Sequence, residues 1–111
     1  MVAQGDIIRL NFSPQKGHEQ SGRRPALVIS NNNFSLITRT AAMVCPITNK
    51  NKNFPFHINL DNRTQTSGVI LCDQAKIIDI QARNYEIIEK APTDIVADVI
   101  DTVYGFIEIE T

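Results

Sequence analysis

The chain has 111 residues, 42% hydrophobic and 21% charged, a balance that excludes disorder and collagen-like repeats. At this length about two-thirds of the unfolded surface can be buried, so residues 1–111 are expected to form one domain. The two cysteines form no CxxC or Cys/His cluster, no apolar run approaches a membrane span, and Met1–Ile8 lacks a signal-peptide core, so a soluble cytoplasmic protein is expected.

In chain order, Ile7 to Phe12 alternates, with Ile8, Leu10 and Phe12 on one face and Ile7, Arg9 and Asn11 on the other. This predicts a half-buried strand. Ser13 to Arg24 is polar, holds Pro14, Gly17 and Gly22, and reads as a long loop of the kind that often carries function. Pro25 leads into the apolar run Ala26–Ser30, suited to a central strand, and Asn31-Asn32-Asn33 is turn chemistry. Thr40 to Thr48 reads as a buried strand, and Asn49 to Asn53 as a second polar loop bearing Lys50 and Lys52.

Phe56 to Leu60 alternates again, Gly68–Cys72 and Ala75–Ile80 are strands broken at Asp73-Gln74, and Tyr85–Lys90 makes a last strand. Thr93 is then expected to cap a helix with Asp94 in its first turn. Ile95, Val96, Val99, Ile100, Val103, Phe106 and Ile107 recur at helical spacing over about four turns. Many short strands and one helix predict a mainly β fold, a small antiparallel barrel or rolled sheet with a C-terminal helix.

The net charge of −1 conceals an asymmetry. Residues 1–83 hold ten Lys/Arg against five Asp/Glu, a net +5, whereas residues 84–111 carry a net −6. That suggests a basic face for a polyanion and a remote acidic end, or else chance segregation of solvated charges. The densest chemistry lies in Lys16 to Pro25, where a carboxylate, an imidazole, an amide and three cations fall within ten residues. Metal-free RNA cleavage needs such groups: a base for the 2′-hydroxyl, a fixed cation for the phosphorus oxygens and an acid for the leaving oxygen. Arg24, set against Pro25 and its strand, has the planar fork that suits phosphate.

The order Gly17-His18-Glu19-Gln20-x-Gly22-x-Arg24-Pro25 before an apolar strand resembles the signature loop of the MazF/PemK/Kid family of toxin–antitoxin toxins. The likeness continues through Val44-Cys45-Pro46-Ile47-Thr48, Asn53-Phe54-Pro55-Phe56, Ser67-Gly68-Val69-Ile70, Asp73-Gln74 and Ile77-Ile78-Asp79. The resemblance implies an SH3-like barrel or rolled sheet of the PemK/CcdB type. It implies a homodimeric endoribonuclease, needing no metal or cofactor, that cuts single-stranded RNA and is held by an antitoxin. Carried over by position, Arg24, Glu19, Thr48 and His18 would be catalytic. Gln20, Asn31, Asp73 and Gln74 would line the RNA site.

Lys50 and Phe56 join the RNA-binding candidates, because Phe54 and Phe56 flank Pro55 beside the Lys50/Lys52 loop and offer rings for base stacking. Core packing of at least one ring is the alternative. His18 can also be read as a solvated loop residue, Asp73 as a turn residue and Thr48 as a strand end. His57 reads as structural, and Cys45 and Cys72 as small core residues. Leu71 stands where the Kid branch has an arginine two positions before its aspartate, which shifts weight to Glu19 and Arg24. Two other functions remain in view: a toxin of the same fold that binds DNA gyrase, as CcdB relatives do, and an RNA-binding module without chemistry.

Overall fold

The computed structural model describes residues 1–12, 22–50 and 54–111. Among them are seven strands: β1 (Asp6–Asn11), β2 (Arg23–Val28), β3 (Ala41–Thr48), β4 (His57–Asn59), β5 (Val69–Leu71), β6 (Lys76–Asp79) and β7 (Glu86–Lys90). Two helices, α1 (Asn32–Thr38) and α2 (Thr93–Gly105), complete the fold with single 3-10 turns at Cys72–Gln74 and Gln81–Arg83.

The strands form one antiparallel sheet in the order β4-β5-β3-β2-β1-β7, with β6 also paired to β3. β3 organises it. Its first half, Ala41–Val44, pairs with β6, its last two residues pair with β5, and its other edge carries β2. The sheet is open, so the rolled form of the expected architecture is the one adopted.

Both faces of the central strands are buried. Ile7, Leu27, Cys45, Ile47 and Ile70 pack with Ile95, Val96 and Val99 of α2. On the opposite face Ile8, Leu10, Phe12, Ala26, Val28, Ala42 and Val44 pack with Val2 and Ile80. The expected alternation of β1 holds from Ile8 to Asn11, where Arg9 and Asn11 are exposed, but Ile7 on that outer face is completely covered by the helix side. Burying one such side chain contributes about 1.5–3 kcal/mol.

Several boundaries differ from the sequence reading, and α2 ends at Gly105, before Phe106 and Ile107 of the expected stripe. Arg23 and Arg24 belong to β2 rather than to the loop before it. Thr93 is the first helical residue of α2, and the cap position is Pro92, whose fixed φ suits the entry. Asn31-Asn32-Asn33 starts α1 instead of making a simple turn: the Asn31 side chain accepts a hydrogen bond from Phe34 N at 2.9 Å. The chemistry that closes an Asx turn also starts a helix, and α1 is too short, with Leu36 and Ile37 exposed, to show an apolar stripe.

The acidic C-terminal stretch is not remote from the cations. Arg23 donates to Asn84 O at 2.8 Å and to Glu86 Oε1 at 3.2 Å, and Arg9 stands 3.9 Å from the same carboxylate. Arg63 grips Asp61 and Asp94 together, and Lys90 reaches Asp6 at 2.8 Å. Antiparallel pairing of β7 beside β1 brings the two charge blocks together.

Candidate active site

The neck of the segment between β1 and β2 is closed by backbone pairing. Asn11 faces Arg23 across the two strands, and Phe12 N donates to Gly22 O at 2.8 Å. Successive strand residues point to opposite faces, so Arg23 turns outward to Glu86 while Arg24 shares the face of Ala26 and Val28. On the far edge of β2, Ala26 pairs with Pro46. The paired register runs from Val28–Val44 to Ala26–Pro46, so Arg24 and Thr48 each lie two residues beyond the last pair, at the same end of the two strands.

Thr48 is buried, 2% exposed, and its Oγ1 accepts a hydrogen bond from Lys50 N at 3.2 Å. A hydroxyl that accepts in this way keeps its proton to donate elsewhere. Thr48 faces Val69 across β5, and Gly68 lies directly against it. A Cβ on Gly68 would stand 2.3 Å from Thr48 O, and its φ is +118°, so only glycine fits. Next to it, Ser67 Oγ donates to Asn49 Oδ1 at 3.0 Å. The 65–66 backbone is held in turn by the Glu89 carboxylate, which accepts from Gln65 N at 3.0 Å and from Thr66 N and Oγ1 at 2.7 Å.

The 3-10 turn after β5 carries Asp73 and Gln74. Asp73 Oδ1 lies 3.5 Å from His57 Nε2, and His57 faces Leu71 across β4 and β5. Beside them Phe54 packs on His57 with centroids 5.3 Å apart, Phe56 on Phe54 at 5.6 Å and Phe56 on Phe106 at 4.8 Å. Phe56 packs against Phe106 at the end of α2 and is otherwise partly exposed.

Cys45 and Cys72 are free and buried, as expected. Burial, with Asp73's negative charge adding to it, pushes the Cys72 thiol up to about 12. Burial raises Cys45 further, with contributions from Cys72 and Asp73, so neither is a thiolate nucleophile at neutral pH.

The fold therefore gathers Arg24, Thr48 and Lys50 around the β2–β3 end, with Asp73 and Gln74 on the turn that follows β5. It does not bring Asn31 to them within the chain, because Asn31 caps α1 beyond the opposite end of β2. His18, Glu19 and Gln20 lie outside the described residues. Among the described residues no three His, Cys, Asp or Glu side chains converge as a metal site.

The family model for the "PemK-like, MazF-like toxin of type II toxin-antitoxin system" matches residues 3–106. The chain belongs to that family. It is 35% identical over 103 residues to the endoribonuclease PemK of Escherichia coli, covering 89% of this chain and 77% of PemK. Its fold matches crystalline MazF from Deinococcus radiodurans with a TM-score of 0.88 and 37% identity, over 95% of this chain and 94% of that one. A MazE–MazF structure from the same organism matches with a TM-score of 0.82, 37% identity and the same coverage.

In this PemK/MazF-family chain, sequence reasoning missed His57, Glu89 and the Asn49–Ser67 bond as neighbours of the site. Alternation in Phe56–Leu60 assigns His57 a face, but the partner on that face depends on the register with β5. Glu89 lies in the acidic C-terminal block, where no local pattern marks it. Only the β1–β7 pairing carries it to the 65–66 turn.

Proposed function

We propose that the chain is the toxin's catalytic subunit: an endoribonuclease that cuts single-stranded RNA by attack of a 2′-hydroxyl on the adjacent phosphate. The products are a 2′,3′-cyclic phosphate and a 5′-hydroxyl, and no metal or cofactor takes part. The observation that carries the reading is the placement of Arg24 in β2 at the neck of the signature segment, with Thr48 at the same end of the adjoining strand β3. In this mechanism the Arg24 guanidinium stabilises charge gathering on the non-bridging oxygens, the largest single effect available to such a site. Thr48, whose Oγ1 already accepts from Lys50 N, donates its proton to one of those oxygens. RNA binding must uncover this hydroxyl, because Thr48 is 2% exposed in the free chain.

Glu19 takes the 2′-hydroxyl proton, and Arg24 or His18 returns one to the leaving 5′-oxygen. Gln20, Asn31, Asp73, Gln74, Lys50 and Phe56 hold the RNA. The carbonyl-rich and carboxylate surfaces among them read bases, and Lys50 adds charge for phosphates. The identity to PemK and MazF and the intact Glu-Gln…Arg-Pro segment favour cleavage over gyrase binding or mere RNA binding.

The partners follow the same reading. A second copy covers the apolar groove of about 210 Å³ lined by Ile29, Met43, Ile100, Val103, Tyr104 and Ile107. A cognate antitoxin, as in the MazE–MazF structures, competes with RNA in the cytoplasm. No helix among the described residues is long and apolar enough to cross a membrane.

The test is incubation of purified protein with a long unstructured RNA in EDTA, mapping ends by primer extension, beside Arg24→Ala and Thr48→Val. Discrete cuts that both substitutions abolish or strongly weaken are expected. RNA binding without cuts in the unsubstituted protein would overturn the catalytic reading, and cuts that survive Arg24→Ala would overturn its mechanism.

A further inference from the structure

His57 is the one imidazole among the described residues, and its surroundings are unusual for a structural histidine. Its side chain is 6% exposed, with Nε2 3.5 Å from Asp73 Oδ1. Nδ1 is buried with no hydrogen-bond partner among the described residues. A carboxylate only accepts, so the neutral tautomer that suits this geometry has its proton on Nε2, facing Asp73. The bare lone pair then falls on Nδ1, the arrangement that leaves no donor unpaired. The imidazole plane is held by the Phe54 ring and by β4–β5 pairing opposite Leu71.

His57 also lies in the sheet rows of the candidate site. Paired residues of antiparallel strands share a face, so Thr48, Val69 and Asn59 form one row. His57 and Leu71 occupy the neighbouring row on that face. Beyond them stand the half-exposed Asp73 carboxylate and the exposed rings of Phe54 and Phe56. A ring surface beside a fixed acceptor is what a splayed-out RNA base needs: a stacking plane and a partner for its Watson–Crick edge.

We propose that His57 is a positioning residue for base recognition, donating from Nε2 to Asp73 so that the free carboxylate oxygen reads an N–H donor on a base stacked against Phe54 or Phe56. The inference rests on the RNA-cleaving reading above. The 3.5 Å separation is at the outer limit of a direct hydrogen bond and shortens on RNA binding, as site hydrogen bonds do when substrate fills them. A base that presents an acceptor rather than an N–H at the position facing the carboxylate leaves Asp73 desolvated and unpaired, which is the source of discrimination.

The experiment maps cleavage sites on one long RNA for the unsubstituted protein, His57→Gln, His57→Phe and Asp73→Asn. Each is then assayed on short RNAs differing at one base of the mapped motif. His57→Phe keeps the ring shape without the donor, and it should lose about tenfold in discrimination at one motif position while retaining cleavage. Asp73→Asn should change the preference at the same position, and His57→Gln, which keeps an N–H, should hold it. An unaltered motif in folded His57→Phe overturns the proposal.

Nitrogen-15 spectra of the His57 ring in the unsubstituted protein give a second reading that needs no substitution at His57. A proton on Nε2 whose signal shifts in Asp73→Asn supports the pair, and a proton on Nδ1 overturns it even where His57→Phe fails to fold. Absence of any cuts by the unsubstituted protein would instead retire the endoribonuclease reading and base recognition with it, and the ring spectrum would then report on the pair alone.

Discussion

Gly68 packs against the backbone of Thr48 so closely that a Cβ at Gly68 would stand 2.3 Å from the Thr48 carbonyl oxygen. The contact fixes the end of β3 where the candidate catalytic hydroxyl sits. Gly68→Ala adds that clash to a φ of +118°, so it is expected to destabilise the fold by about 2–4 kcal/mol. Urea unfolding measures the loss. RNA cleavage should fall further than the unfolded fraction explains, because Thr48 must shift to make room.

Arg23 and Arg24 are adjacent yet point to opposite faces, and substitutions should separate them. Arg23→Ala removes exposed pairing to Glu86 and Asn84 and is expected to cost under about 1 kcal/mol of stability. Arg24→Ala is expected to lower the cleavage rate by about 100-fold or more, with Arg24→Lys recovering only part of it. Single-turnover cleavage at saturating protein compares all three. Equal losses for Arg23→Ala and Arg24→Ala would contradict the face assignment.

Acid should loosen the 61–66 turn. The Arg63 hydrogen bonds hold the carboxyls of Asp61 and Asp94 below their usual range. For Glu89 burial pushes upward, but hydrogen bonds from Thr66 and Gln65 outweigh it and the net shift is down. Groups lowered in the folded state contribute stability that is complete above the ordinary carboxylate range and is lost as pH falls through the lowered values. Stability should therefore drop between about pH 5 and pH 2. Glu89→Gln should flatten part of that slope in urea midpoints measured across the range.

Cys45 and Cys72 should be silent in the native protein. Both are buried and the Cys72 thiol is pushed up to about 12. A thiol reagent at pH 8 should label them many-fold faster in urea than in buffer. Rapid native labelling would show that β3 and the turn after β5 open readily.

Much of the fold is legible in the sequence, for reasons tied to particular residues. The stripe from Ile95 to Val103 specifies α2 because a helix needs only its own periodicity. Ile7 misled because alternation describes a strand with one wet face, whereas α2 covers the second face of β1. α1 escaped notice because Leu36 and Ile37 point outward and leave no stripe. Arg24 and Thr48 are candidates through their order along the chain, but the pairing of β2 with β3 that brings their strand ends together depends on a register no local pattern states. His57 needed more: its meaning depends on Asp73 and Phe54, neither of which a local pattern links to it.

The most direct measurement uses a short RNA containing one mapped cleavage site, with the end products identified by mass spectrometry in excess EDTA. A 2′,3′-cyclic phosphate is expected on one fragment and a 5′-hydroxyl on the other. No cleavage is expected when the single ribose before the scissile phosphate is 2′-deoxy. Cleavage of that deoxy substrate, or a 5′-phosphate product, would show that the 2′-hydroxyl is not the nucleophile and would contradict the roles given to Arg24 and Thr48.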